Sequence, residues 1–486
     1  MLAAGLGAVL APSGSRAPPA DVTATVDTAH PGATIPRSFL SFSFEFRTVR
    51  AYLGAAHVNE PFVAIAGLLG AAQHGKPHLR IGGDTTDESW WNPAGRPRPP
   101  GVSIDLGPAW VRALARAERR TRAPLALGLD LALGDPRNAL VLVRAVRAAL
   151  PPGLLRTVEL GNEPDLWTRS HTFRIGRLVI TRPRHRLRYG PADYRRDVRR
   201  WLRVLGGRVP PAAVGGFATP AWAGSLPALL AGERGRISEV TAHVYAIPTC
   251  ARPIPAGEGI ARLLGERSGE VLRGAVGPIA AVARRAGLPA RVAEVNSAPC
   301  GGIPGASDAF ASALWSAEML FDLARMGVAE VDVHSWQGAL YVPFVFRHAG
   351  TRTLVHARPL LYGLWLFAEA TPYPSRLLPV RVDGGGVWAT RGADGTLRVV
   401  AVNDDGAHAR TVRVRVPAAT GVARVALLRA PSLRARHGVT FAGRTIGTDG
   451  RPDGARRTSA VAPRAGAYEL RLPPGSAALL TVPRVT

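Results

Sequence analysis

The chain has 486 residues, 47% apolar and 20% charged, a globular composition that excludes wholesale disorder and calls for two or three domains, or a large α/β barrel with an accessory domain. Its two cysteines are too few for a disulfide scaffold or a cysteine-built zinc or iron–sulfur site. It also lacks a run of eighteen uncharged apolar residues able to cross a membrane, and any visible internal repeat. Lysine and arginine total 61 against 35 acidic residues, a formal charge of +26, with Lys76 the only lysine. Two readings of that excess stay open: a coding bias towards arginine, glycine, proline and alanine, or attraction to a polyanion.

Residues 1–20 form an apolar run followed by small residues and prolines, like the core and cleavage zone of a secretory signal without its basic start. An exported protein is expected, with this segment as signal or disordered leader. Residues 21–35 read as a strand that precedes the main domain and is placed to pair with the C-terminal region.

From 37 to 370, β-rich runs at 39–46, 78–83, 124–132, 156–163, 213–219, 239–245, 290–296 and 330–336 alternate with amphipathic stretches such as 137–150, 192–205, 270–286 and 307–326. Eight β/α units predict a (β/α)₈ TIM barrel. An open doubly wound sheet would want a glycine-rich phosphate loop after its first strand, and none is present. From 371 onwards apolar and polar residues alternate between turn clusters, as in TVRVRVP and YELRLPP, which predicts an antiparallel β-sandwich of residues 371–486 with 21–36 added.

Catalytic side chains of such barrels sit at the C-terminal ends of strands. The fourth predicted strand ends in Glu159-Leu160-Gly161-Asn162-Glu163-Pro164, and the seventh in Glu294-Val295-Asn296. Either glutamate alone could be a strand-end ion pair. Two carboxylates from nearly opposite strands, facing one cavity, are what glycosidic bond cleavage needs, one as proton donor and the other as nucleophile or base. No metal and no cofactor is called for by that chemistry.

These motifs resemble glycoside hydrolase family 79, the heparanase and β-glucuronidase family, and its microbial β-glucuronidase branch in particular. Leu79–Trp91 is similar to the family's strand-two block, Val158–Asp165 to its acid/base block, and Glu294–Gly302 with 307–315 to its nucleophile block and following helix. The resemblance implies a retaining double displacement with Glu163 as acid/base and Glu294 as nucleophile. It places Asn162 on the sugar 2-hydroxyl, and Glu45, Asp84, Tyr245 and His334 around the −1 sugar. Asp84 stands where the family often has Asn or Thr. Tyr341 and the backbone amides of Cys300 and Gly301 would hold a C6 carboxylate, although this turn reads Cys-Gly-Gly where heparanase-like members have Tyr-Gly-Gly. Glu163 is expected in a drier and more anionic setting than Glu294.

Cys250 follows strand six and Cys300 strand seven, so adjacent loops bring them within reach of a disulfide that an exported protein would permit. Residues 169–200 carry eleven arginines against two aspartates. There, the run Arg182, Arg184, Arg186 and Arg188 reads equally as a solvated surface or as an extension of the site towards an acidic glycan. The expected partner is a carbohydrate, uronic-acid-containing, with no nucleic acid, since no aromatic-interleaved basic groove is visible. The expected activity is β-glucuronidase. The alternatives are an endo-acting hydrolase of uronate-containing polysaccharide and a non-catalytic carbohydrate- or polyanion-binding protein on the same fold.

Overall fold

The computed structural model describes residues 22–484 apart from 74, 176–177, 183–184, 250–251, 351 and 418–420. Eight parallel strands close into a barrel: β1 (Leu40–Glu45), β2 (Leu79–Gly82), β3 (Leu125–Leu129), β4 (Leu155–Leu160), β5 (Ala212–Phe217), β6 (Ile237–Tyr245), β7 (Ala290–Asn296) and β8 (Glu330–Ser335). Each is followed by a helix, from Glu60–Ala72 after β1 to Pro359–Ala370 after β8. Several helices begin on a proline, which carries no N–H to leave unsatisfied in the first turn. Asp135 caps one of these, accepting from the amides of Arg137 and Asn138 at 3.1 and 3.0 Å.

The barrel interior is unusually polar. Ser43, Arg80, Glu159, Glu239, His243, Arg291, Asp332 and His334 point inward among the apolar side chains, all of them buried. Branched aliphatic residues usually fill these layers. Here the charged groups compensate one another, and the aliphatic and aromatic side chains pack between strands and helices instead. Phe42, Phe44, Tyr52, Phe62 and Phe344 meet edge to face beside β1, at ring distances of 5.0–6.4 Å.

Two sheets form the second domain. In the four-stranded one, Val22–Val26 lies antiparallel to Val380–Val382 and parallel to Arg410–Arg415. The segment read as one strand is therefore two, because the short strand Thr34–Ile35 joins the other, eight-stranded sheet beside Ser375–Leu378. That larger sheet is apolar on both faces. Val399 and Ala401 face the smaller sheet, while Val400 and Val402 face the barrel, which is why this strand reads as an unbroken apolar run. Helices Ala311–Arg325 and Pro359–Ala370 fill the space between and are buried on nearly every side. They approach closely at Gly363, where an added Cβ would meet the Ala313 carbonyl.

Candidate active site

The fourth strand stops at Leu160, short of the extent read from sequence, and the next residues form a turn. Gly161 (φ +79°) and Glu163 (φ +44°, ψ +54°) both adopt the left-handed region. For a glutamate that conformation is uncommon and persists only where the surroundings enforce it. Here the Glu163 amide donates to the Gly216 carbonyl at 3.0 Å, and Pro164 fixes the following residue. The turn thereby aims the Glu163 carboxylate back over the barrel axis. Glu294 needs no such device. It lies within β7, between Ala293 and Val295, and points into the barrel.

The two glutamates are equally buried, at 7% and 6% exposure. One oxygen of each, together with a ring nitrogen of His243, lie within 4.8 Å of one another. Their surroundings differ in charge. Glu294 accepts from the Arg80 guanidinium at 3.1 Å and from the Tyr245 hydroxyl at 2.5 Å. Glu163 is approached by His243 Nδ1 at 3.2 Å and has the carboxylate of Asp165 nearby. Burial, and then the charge of Glu163, push the Asp165 carboxyl above its usual range. The expected contrast between the two acids is thus one of neighbouring charge, with no difference in burial.

Arg80 is fully buried and organises the cluster from β2. Its Nε donates to Glu159 at 2.6 Å, Nη1 to Ser43 at 2.9 Å as well as to Glu294, and Nη2 to Asn162 at 3.0 Å. Nη2 also faces His243 Nε2 at 3.3 Å. A guanidinium can only donate, so Nε2 accepts and the His243 proton sits on Nδ1, facing Glu163. The oxygens of Glu163 and Glu294 and the nitrogen of His243 have the spacing of cation ligands. A guanidinium already lies against two of those three residues and opposes a metal there.

The remaining predicted residues gather around this pair. Asn162, completely buried, donates through Nδ2 to Asp84 at 3.3 Å, and its backbone amide donates to Asp87 at 3.1 Å. Glu45 ends β1 with its carboxylate accepting from the amides of Asp84 and Thr85 at 3.0 and 2.8 Å, and from the Thr85 hydroxyl. Gly83 (φ +85°) makes that approach possible, since a Cβ would collide with the same carboxylate. Glu45 therefore anchors the turn that carries Asp84. His334 on β8 lies 3.5 Å from Glu45 and 3.7 Å from Glu294, and 2.9 Å from the Ser43 hydroxyl. Burial opposes charge on this imidazole, but the two carboxylates prevail and its pKa is raised.

Tyr341 is buried and stacks obliquely against Tyr245 at 6.0 Å. Its hydroxyl accepts from Trp336 Nε1 at 2.7 Å and is also in hydrogen-bonding contact with the Tyr245 hydroxyl. Cys300, Gly301 and Gly302 all have positive φ, of 56°, 85° and 94°. This turn packs on Tyr341: the Leu340 amide donates to the Gly301 carbonyl at 2.7 Å, and a Cβ on Gly302 would lie 3.3 Å from the tyrosine ring. No free thiol occurs among the described residues, and Cys250 lies outside them. In the arginine-rich segment, His171–Ile175 and Leu178–Arg182 form a hairpin not expected from sequence. The Arg182 side chain and Arg184 fall outside the description. The Arg186 amide donates to the Trp167 carbonyl at 3.1 Å, and its guanidinium charge acts on Asp130.

Sequence reading passed over Arg80, His243 and Glu159. Their signal was present: His243 and Tyr245 are two apart on β6, so they share a face, as do Ser43 and Glu45 on β1.

No protein-family model and no curated protein matches the chain. Solved structures do resemble it. A 4-O-α-L-rhamnosyl-β-D-glucuronidase from Fusarium oxysporum 12S is 17% identical with a TM-score of 0.76, covering 95% of this chain and 100% of its own. A family 51 arabinofuranosidase from Xanthomonas axonopodis pv. citri is 15% identical with a TM-score of 0.70, covering 96% and 100%. The catalytic domain of a family 30 xylanase from Talaromyces cellulolyticus is 12% identical with a TM-score of 0.54, covering 95% and 99%. All three are glycoside hydrolases, and at these identities the likeness is one of fold.

Proposed function

We propose that the chain is a retaining β-glycosidase of the family 79 type whose −1 subsite takes a β-linked glucuronic acid. The observation that carries the reading is the pair Glu163 and Glu294, with oxygens within 4.8 Å of each other. Inverting enzymes hold their carboxyls about 6.5–9.5 Å apart to admit a water, whereas retaining ones hold them about 5–5.5 Å apart. Glu294, steadied by Arg80 and Tyr245, attacks the anomeric carbon while Glu163 gives its proton to the leaving glycosidic oxygen. The resulting glycosyl ester on Glu294 is then cleaved by water, which Glu163 deprotonates as it regains its proton.

The uronate part rests on Tyr341 and the left-handed Cys300–Gly301–Gly302 turn packed against it. Consecutive amides in such a turn bind anions through backbone donors. The name of the Fusarium oxysporum neighbour, a glucuronidase, supports the same class of glycone. Export, with a disulfide between Cys250 and Cys300, belongs to this reading: thiol titration of denatured, unreduced protein should find no free thiol, and two reactive thiols would remove the pairing.

Hydrolysis of a panel of 4-nitrophenyl β-glycosides tests the whole. The glucuronide should be cleaved best, and Glu163→Ala should be partly rescued by azide on substrates with good leaving groups. Preference for the glucoside would sink the uronate reading. Near wild-type rates for Glu163→Ala on a poor leaving group would sink the acid/base assignment.

A further inference from the structure

The end of the barrel opposite the catalytic mouth, its floor, is made of the turns that lead into the strands and the last turns of the helices before them. From β3 to β7 these turns are 122–124, 150–154, 206–211, 233–236 and 286–289. Apart from arginine and Glu233 they contain only alanine, glycine, leucine, proline and valine. Glu233 is buried and lies 3.2 Å from Arg236. The helices leading into them are equally one-sided. In Pro191–Leu205 and Glu266–Arg285 the acids fall in the first half, towards the mouth, and Pro136–Ala149 and Leu226–Gly232 have none. The single acid of Pro108–Thr121, Glu118, is fully buried.

Part of this arginine is structural. A cation near the end of a helix offsets the negative pole of its dipole and can bond the last carbonyls. Arg119 donates to the Ala149 carbonyl at 2.8 Å, Arg147 to that of Arg208 at 2.9 Å, and Arg199 to that of Ala228 at 3.0 Å. These contacts tie each helix to the next and make one continuous arc around the floor. Arg122, Arg203, Arg234, Arg284 and Arg285 are a different case: they are exposed, and their side chains have no hydrogen-bond or ion-pair partner among the described residues. Arg234 and Arg285 line the same cavity, of about 550 Å³, together with the apolar side chains of Leu230, Ile237, Val282 and Leu288.

We infer that the floor of the barrel docks on an anionic lipid surface, with a headgroup phosphate between Arg234 and Arg285 and an acyl segment against the apolar wall of their cavity. Association with such a surface sums the burial of apolar area and the attraction of arginine to anionic headgroups. A guanidinium also matches phosphate geometry through paired donors. A nucleic acid or an acidic polysaccharide would supply anions but nothing to cover Leu230, Val282 and Leu288. It would also find none of the hydroxyl, amide or aromatic side chains that bond or stack on sugars and bases, because these turns hold none. Docked by its floor, the protein turns the catalytic mouth away from the lipid and towards solution.

Co-sedimentation of the full chain with vesicles tests this at physiological salt. Partition onto mixed phosphatidylcholine–phosphatidylglycerol vesicles should exceed that onto phosphatidylcholine alone by about ten-fold or more. The double variant Arg234→Ala with Arg285→Ala should lower the partition roughly ten- to thirty-fold and leave Tm unchanged. As a control, Arg413→Ala with Arg471→Ala removes the same charge from exposed positions on the four-stranded sheet and should leave the partition within about two-fold. Equal losses in the two double variants would mean that total charge alone drives the contact, and would overturn the inference. So would the absence of sedimentation with the mixed vesicles, or equal sedimentation with phosphatidylcholine alone. Retention on a polygalacturonate gel that is lost in the Arg234 and Arg285 pair, without vesicle binding, would make the partner an acidic polysaccharide and also overturn it.

Discussion

The barrel contains two arginine-centred clusters, one at each end, built from the same kinds of side chain. At the mouth, Arg80 serves Glu159, Glu294, Ser43 and Asn162. At the floor, Arg291 donates to Asp332 at 2.6 Å and to Glu239 at 3.0 Å, with Glu330 at 3.4 Å and His78 closing on Glu330 at 2.6 Å. The floor is a closed charge balance. Burial opposes ionisation of Glu330, yet His78 and Arg291 hold it down at about 2, while burial pushes Asp332 up. At the mouth, Glu294 keeps an open side towards a second acid, Glu163. The same arrangement of a guanidinium among carboxylates closes on itself at the floor, whereas at the mouth it leaves one carboxylate facing a second acid, the group that the proposed mechanism uses.

Substitutions at the two ends should separate these roles. The largest effect belongs to the mouth: Glu294→Ala should lower kcat/KM on a β-glucuronide by about 10⁴-fold or more with thermal stability little changed. Comparable turnover in that variant would place the nucleophile elsewhere. At the floor, Arg291→Met removes the central cation from Glu239, Glu330 and Asp332, leaving His78 and Arg156 beside the first two, and should cost about 3–5 kcal/mol of stability by denaturant titration. The protein that still folds should turn over substrate at close to the wild-type rate. A large loss of kcat without a loss of stability would contradict the division.

Tyr341→Phe tests specificity at the mouth. It should lower kcat/KM for a β-glucuronide by roughly ten- to a hundred-fold, about 1.4–2.7 kcal/mol, and change the matching β-glucoside little. Equal losses on both would make Tyr341 a packing residue. The smallest effect is expected at an acid in neither cluster. Glu318 faces the barrel–sandwich seam, where burial and then the charges of Asp404 and Asp322 push it up to about 8. Its folded pKa exceeds the unfolded value, so the folded state keeps a proton that the unfolded chain releases. The stability this gives is complete below about pH 4.5, falls as pH rises and is gone above about pH 8. Glu318→Gln should raise Tm by about 2–4 °C at about pH 8.5 and leave it unchanged at about pH 4.5. A gain at low pH alone would reverse the sign and refute the assignment.

The barrel strands were legible because each is an apolar run bounded by turns, and the two glutamates because they close such runs. Less legible was the turn that aims Glu163: sequence extended the strand to that residue, whereas a left-handed backbone bends it inward. Arg80, His243 and Arg291 were passed over for a shared reason. Ionisable residues inside a strand pattern look like solvent-facing positions until barrel closure shows that both faces are covered. The hairpin within the arginine-rich segment was hidden by the surrounding arginines, although Thr172-Phe173-Arg174-Ile175 alternates and Leu178-Val179-Ile180 is a short apolar run.

A retaining mechanism requires a covalent intermediate at the mouth of the barrel. A 2-deoxy-2-fluoro-β-glucuronosyl fluoride should inactivate the enzyme by trapping that intermediate, and peptide mass mapping should find a single label, esterified to Glu294. A label on Glu163 or any other residue, or turnover to the inverted anomer with no label at all, would contradict it.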